Sequence, residues 1–180
     1  NHPLGGMDAI ALVSALRHKR SDLKFIVNDL LLNLNKMNGL FLGINKHGKN
    51  PQNKRQQINE LFSSDHAVCI FPAGLVSRKI DGKVKDLEWK KTFISQSVSN
   101  DRLIVPIYLE GKLSNWFYGL SSFRKKLGIK ANIEMLYLSD ELFKLRGSKM
   151  TMHIGQPIAS STFTKEKTDA QWAEWVKEKV

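Results

Sequence analysis

Hydrophobic positions along the chain fall into two patterns that predict different elements. Apolar residues spaced three or four apart predict helices, and short continuous apolar runs predict strands. The helical pattern covers residues 7–16, 29–34, 52–62, 86–98 and 169–180, with a short helix between the last two predicted strands. The strand pattern covers residues 23–27, 39–44, 67–71, 102–109, 133–138 and 150–154.

Strands and helices alternate through most of the chain, which is typical of an α/β fold. The sequence therefore predicts a central, mostly parallel or mixed sheet flanked by helices. We find no internal repeat, low-complexity segment or linker, so we expect one domain over residues 1–180. Because the sequence starts at Asn1 and not at methionine, we also expect a further segment before it.

Composition and charge narrow the partners that the chain can have. Hydrophobic residues make up 42% and charged residues 25%, which is a globular composition. The net charge of +11 favours an anionic partner: a phosphate-bearing metabolite, an anionic membrane surface or nucleic acid. No run approaches the 18 apolar residues or so of a spanning helix, and no signal-peptide pattern opens the chain.

The single cysteine, Cys69, excludes an intrachain disulfide and agrees with a reducing, cytoplasmic setting. It lies inside an apolar run, which predicts a buried structural thiol and not a nucleophile.

A histidine and an aspartate near the start of the chain are the first candidates for chemistry. His2 lies six residues before Asp8, with Gly5 and Gly6 between them. A carboxylate that orients an imidazole leaves the second ring nitrogen free to take a proton from a hydroxyl. Such a spacing also arises without function, and Asp8 could simply be a favourable first-turn helix residue.

A second candidate stretch follows the predicted strand 67–71. Phe71-Pro72-Ala73-Gly74 forms a Pro-x-Gly turn that leaves room for a ligand to approach the backbone. Ser77, Arg78 and Lys79 then supply a hydroxyl and two cations, a set suited to phosphate or carboxylate. The alternative is a solvated turn with two surface cations.

Neither a metal site nor a cofactor is predicted. His18, His47, His66 and His153 have no regular metal-ligand spacing, and the sequence holds no Cys/His cluster and no nucleotide-binding glycine motif.

Aromatic residues alternate with cations over residues 116–126, from Trp116 to Lys126. This pattern suits an interfacial helix, with rings at the level of lipid headgroups and positive charge toward anionic lipid. The alternative is a core-facing aromatic cluster with a solvated basic edge.

Three blocks, taken in order, resemble the glycerolipid acyltransferases, the group that includes the lysophosphatidic acid acyltransferases. The segment from His2 to Asp8 is similar to their opening His/Asp signature, with five intervening residues in place of four. Residues 71–74 resemble their Phe-Pro-Glu-Gly block, and residues 105–107, Val-Pro-Ile, their later Val-Pro block. The resemblance runs from Asn1 to about Pro157.

The chain departs from that pattern where the larger family holds its acceptor phosphate. Ala73 stands in place of a glutamate and Val76 in place of an arginine. A further block of the family corresponds to residues 39–45, and Asn45 stands there in place of its final arginine. The chain is more similar to a branch of hemolysin-like lysophospholipid acyltransferases. Residues 71–78 and 108–111 match the corresponding sequence blocks of that branch. Some members of that branch acylate amino-acid-linked lyso-lipids, so phosphatidic acid synthesis and a carboxylate head group are both open.

The resemblance implies an enzyme that moves a fatty acyl group from acyl-CoA or acyl carrier protein to a hydroxyl of a lyso-lipid. His2 would be the general base and Asp8 would orient it, with no protein nucleophile. The oxyanion candidates are Gly5, Gly6 and Gly74. The set predicted to bind substrate is Phe71, Pro72, Gly74, Ser77, Arg78 and Lys79.

These roles place the protein on an anionic membrane surface, as a peripheral protein of the cytoplasmic side. Two other classes compete with this hypothesis. A basic nucleic-acid-binding module is suggested by charge alone, but no known module is present and we expect no nucleic-acid partner. A thioester hydrolase could use the same His/Asp pair, although the Gly-x-Ser-x-Gly motif of serine hydrolases is absent.

Overall fold

A computed structural model describes residues 1–28, 39–44 and 51–180. The described helices are α1 (Gly6–Leu16), α2 (Pro51–Ser63), α3 (Thr92–Ser99), α4 (Asn115–Lys126), α5 (Leu138–Lys144) and α6 (Asp169–Lys177), with 3-10 helices at Ile133–Tyr137 and Ser160–Thr162. The described strands are β1 (Leu23–Asn28), β2 (Phe41–Ile44), β3 (Ala67–Ile70), β4 (Arg78–Ile80), β5 (Lys83–Lys85), β6 (Ile107–Leu109) and β7 (Met152–Ile154).

The first half of the chain builds a small parallel sheet with the strand order β2-β1-β3. Phe25 of β1 lies opposite Phe41 on one side and Cys69 on the other. Helix α1 packs on this sheet because its apolar residues, including Ala9 and Leu12, join Phe25 in one buried cluster. Since carboxyl ends of parallel strands meet at one edge, β3 delivers Phe71 to the edge where α1 begins.

Two antiparallel pairs lie outside this sheet. Strands β4 and β5 form a hairpin whose turn residues Asp81 and Gly82 have φ values of 50° and 77°, the left-handed geometry of tight two-residue turns. Strands β6 and β7 form the second pair. The predicted α/β class is confirmed, but the described strands form three small sheets and not one central sheet.

Two further apolar clusters hold the helices of the second half. Helix α6 packs against α3 through Trp172 and Val176, in a cluster that also contains Trp89 and Phe93. The sequence starts α6 with a capping box, in which Thr168 accepts from the Gln171 N–H and Gln171 caps in return. The other cluster joins α4 to the segment that carries His2, and it positions the candidate site.

Several predicted elements differ from the structure. The strand at 133–138 is wrong: the segment is a 3-10 helix, which turns Glu134 into the interior toward two arginines. The helix predicted from residue 86 starts only at Thr92, because the residues before it are tied to the candidate site. The strand predicted at 102–109 is interrupted at Pro106, which has no N–H to donate. Ile104 forms an isolated antiparallel bridge with Ile158, and a continuous strand begins only at Ile107.

The helix predicted at 29–34 lies outside the described residues, and so does the loop predicted at 47–51, apart from Pro51, the first residue of α2.

Candidate active site

His2 and Asp8 form a buried hydrogen-bonded pair. His2 Nδ1 lies 2.9 Å from Asp8 Oδ2, and neither residue exceeds 9% exposure. Because the carboxylate is the acceptor, Nδ1 carries the proton and Nε2 is left as the basic nitrogen. The Leu4 N–H also donates to Oδ2, at 3.0 Å, which fixes the carboxylate at the start of α1. Burial raises the pKa of Asp8, against the hydrogen bonds from His2 and Leu4 that lower it.

Phe71 supports the imidazole from the end of the parallel sheet. The two rings stack with their centroids 4.3 Å apart. The predicted turn is present, since Gly74 N–H donates to Phe71 O at 2.9 Å, and Gly74 has a φ of 65° that favours glycine. Pro72 is buried within this turn and Gly74 is exposed. The first two blocks of the sequence therefore meet at the His2 ring.

Asp86, which the sequence did not indicate, connects the same two blocks. Its Oδ1 accepts from the His2 backbone N–H at 3.1 Å and from Ser77 Oγ at 2.5 Å. Its Oδ2 accepts from Trp89 Nε1 at 2.9 Å. Ser77 N–H also donates to His2 O at 2.9 Å. Ser77 is 3% exposed and is thus committed to holding the segment of His2. An aspartate at that position is typical of a helix start, which hid this role.

The third block continues into β6, which contacts the site through Asn1. Its side-chain amide donates to Leu109 O at 2.9 Å and accepts from Leu109 N–H at 2.6 Å, so it pairs with β6 as a strand residue would. Gly111, which ends the stretch 108–111, packs so closely on Leu4 that an added Cβ would lie 2.9 Å from that side chain. A glycine at position 111 therefore lets the His2 segment lie against the chain after β6.

Arg78, predicted to bind substrate, lies in the interior at 2% exposure. Its Nη2 donates to Glu134 Oε1 at 2.9 Å and its Nη1 to Val76 O at 2.7 Å. Arg124 of α4 donates to the same carboxylate at 2.8 Å. Arg78 is thus part of a buried ion-pair network with Glu134 and Arg124. Through its bond to the Val76 carbonyl it also holds Val76 in place next to Gly5. Glu134 was hidden from sequence analysis because its segment was predicted to be a strand.

The other predicted site residues, and the single cysteine, lie at separate positions. Lys79 is exposed on β4. Gly5, with a φ of 72°, precedes α1, and Gly6 is its first residue, where N–H groups have no partner within the helix. Gly74 N–H is used inside its turn. The thiol of Cys69 lies in β3, where burial raises its pKa to about 12. Such a thiol is a poor nucleophile.

The arrangement joins an oriented imidazole, a helix N-terminus and an exposed turn, and an oriented imidazole can act as a general base toward a hydroxyl. The whole chain, residues 1–180, matches the model of an acyltransferase family. The chain belongs to this family.

Two curated relatives are similar over the full length of the chain. A lyso-glycine lipid O-acyltransferase of Phocaeicola vulgatus is 47% identical, and one of Bacteroides thetaiotaomicron is 49% identical. The match covers 100% of this chain but only 65% and 66% of the two relatives, so the chain spans just under two thirds of their length. No solved structure matches the chain.

Proposed function

We propose that the protein is an O-acyltransferase that moves a fatty acyl group from an acyl thioester to a hydroxyl of a lyso-lipid. The observation that carries this proposal is the buried His2–Asp8 pair, with Nδ1 bonded at 2.9 Å and Nε2 left as the base. The activity of the family and the names of the two relatives support it.

The reaction needs one proton acceptor and no protein nucleophile. His2 Nε2 takes the proton of the acceptor hydroxyl as its oxygen attacks the thioester carbonyl. Asp8 stabilises the imidazolium that forms. The oxyanion of the tetrahedral intermediate is met by N–H groups at the start of α1, for which Gly6 is the better placed candidate. When the C–S bond breaks, the imidazolium returns the proton to the leaving thiolate. Acyl-CoA or acyl carrier protein is the donor, and no cofactor takes part.

We further propose an amino-acid-linked acceptor, and not a glycerol phosphate. Both relatives are named for a lyso-glycine lipid. The family position that holds an acceptor phosphate is Val76 in this chain, which is apolar and fully buried. A glycine joined to a lipid through its nitrogen keeps a carboxylate, whose single charge demands less of the site than a phosphate does.

An exposed apolar stripe on α4 supports a peripheral position on a membrane. Trp116, Leu120, Phe123 and Leu127 recur three or four residues apart, so they share one helix face. Phe123 is 60% exposed and Leu127 58%. The neighbouring face of α4 is buried and packs in the cluster that contains Leu4, so the stripe lies on an element that builds the site.

The charge around this stripe fits an anionic bilayer. Residues 112–149 contain eight lysines and arginines against three carboxylates, and two of those, Glu134 and Glu141, are buried and paired. No helix among the described residues is long and apolar enough to cross a membrane. We place the protein on the cytoplasmic side, where acyl thioester donors are made.

The experiment compares the protein with its His2→Ala and Asp8→Asn variants, using labelled acyl-CoA and acyl carrier protein with and without a lyso-glycine lipid. We expect His2→Ala to lower acyl transfer by about 10²–10⁴-fold. His18→Ala, at an exposed histidine after α1, is the matched control and should retain activity.

Full transfer by the His2→Ala variant would overturn the mechanism. Release of free fatty acid at a rate that does not depend on the lyso-lipid acceptor would instead identify a thioester hydrolase. Tight binding of nucleic acid without either reaction would favour the basic binding module.

A further inference from the structure

The proposed function, on which this inference rests, leaves the partner of the acceptor's anionic head group unassigned. Val76, at the position where the family has an arginine, is apolar and buried. The Arg78 guanidinium is bonded to Glu134 and to backbone carbonyls in the interior. Lys79, also predicted to bind substrate, is exposed on strand β4, beyond the turn. A cation at the turn itself is therefore needed.

Lys90 lies at that turn. Its ammonium nitrogen is 3.4 Å from the position that a Cβ on Gly74 would occupy. Its backbone N–H donates to Pro72 O at 3.1 Å, so the residue is held to the turn at its backbone. Because Gly74 has no side chain, the Lys90 ammonium can lie directly beside the turn.

The charge of Lys90 is available to a ligand. Among the described residues, no carboxylate forms an ion pair with it. Asp86, on the same segment, already accepts from His2, Ser77 and Trp89. The side chain is exposed, as a group that meets a substrate from solution or from a membrane must be.

One turn connects Lys90 to the base. The Phe71 ring stacks on His2 at one end of the turn, and Gly74, beside the ammonium, is the other end. The Cα atoms at the two ends of such a four-residue turn lie within about 7 Å of each other. The base and the ammonium are therefore both attached to the same turn.

From this geometry we propose that Lys90 Nζ binds the carboxylate of the lyso-lipid acceptor and selects for acidic head groups. The turn from Phe71 to Gly74 then positions both ends of the acceptor's polar part, the base at one end and the cation at the other.

The test measures acyl transfer to a lyso-glycine lipid and to its uncharged carboxamide, with a saturating acyl thioester. We expect the unaltered protein to have a KM about tenfold lower for the carboxylate, the value of one charge-assisted hydrogen bond. Lys90→Ala should raise that KM about tenfold, leave the KM for the carboxamide unchanged and change kcat little. Lys90→Arg should keep the discrimination, and Lys91→Ala, at the exposed neighbour, should match the unaltered protein.

Unchanged discrimination in Lys90→Ala overturns this inference alone, because the protein still transfers acyl groups. A rise in the KM for acyl-CoA without one for the acceptor also overturns it, since the anion would then belong to the donor. Absence of transfer to either acceptor by the unaltered protein overturns the proposed function and this inference with it.

Discussion

Substitutions of Asp86 can distinguish residues that hold His2 in position from residues that take part in the reaction. They can do so because the two carboxylate oxygens of Asp86 have different partners. Oδ1 accepts from the His2 N–H and from Ser77 Oγ, whereas Oδ2 accepts only from Trp89 Nε1. In Asp86→Asn, the amide oxygen can keep the first pair of contacts. The amide nitrogen then faces the Trp89 N–H, donor against donor.

The loss of stability in Asp86→Asn depends on the burial of Trp89, which is 7% exposed. Losing a hydrogen bond to a charged group and leaving a buried donor unpaired costs about 2 kcal/mol. Trp89→Phe removes that donor, so Asp86→Asn should cost only about 1 kcal/mol in a Trp89→Phe background. Asp86→Ala abolishes all three contacts and should lower the free energy of unfolding by about 3 kcal/mol.

Denaturant unfolding of the two single variants and the double variant measures the coupling between Asp86 and Trp89. Acyl transfer in the same proteins should show Asp86→Asn within a few-fold of the unaltered kcat. Asp86→Ala should lose tenfold or more, because a small shift of His2 misplaces the base. Additivity of the two substitutions within about 0.5 kcal/mol would refute the contact. An unchanged kcat in folded Asp86→Ala would refute its role in positioning His2.

Four further outcomes follow from the structure. Glu134→Gln should lower the free energy of unfolding by about 3–5 kcal/mol, because it leaves two arginines short of a buried counter-charge, while exposed Glu110→Gln should change it little. Burial alone would raise the pKa of Glu134, but hydrogen bonds and the arginines hold it below the ordinary value of a glutamate. The stability that this ion pair contributes is therefore present at neutral pH, and denaturant titrations should show it lost as the pH falls through the lowered pKa. Phe123→Asp should weaken binding to anionic vesicles about tenfold without unfolding the protein, whereas Leu103→Asp, 65% exposed elsewhere, should not. Cys69, with a pKa near 12, should resist alkylation at pH 8 until denaturant is added, and rapid labelling of the folded protein would contradict its placement.

The sequence predicted the local parts of this molecule better than its long-range contacts. The helix that carries Asp8 and the strand before Phe71 follow from periodicity, and the structure has both. The division of the described strands into three small sheets could not be predicted from the sequence, because strand pairing depends on partners far along the chain. Arg78 shows the same limit: a cation after a turn suggests exposure, and only the fold reveals Glu134, 56 residues away, beneath it.

For the candidate site, too, local features could be predicted from the sequence and long-range contacts could not. The pairing of His2 with Asp8 could be proposed because both lie within one short segment. Asp86 and Lys90 could not be singled out, since an aspartate and a lysine before a helix are common on surfaces. Their significance depends on contacts with His2 and with the turn at Gly74.

The way the His2 segment is held has a consequence for how the protein acquires its activity. The His2–Asp8 bond is local, but the contacts that orient it join residues 84 and 108 positions apart, to Asp86 and Leu109. Contacts of such high sequence separation form slowly, because long loops must close first. The complete catalytic geometry therefore needs the chain through β6. We expect activity to return after dilution from denaturant no earlier than these long-range contacts form. A fragment that ends before Leu109 keeps the His2–Asp8 segment but lacks the strand contact of Asn1 that holds it in place.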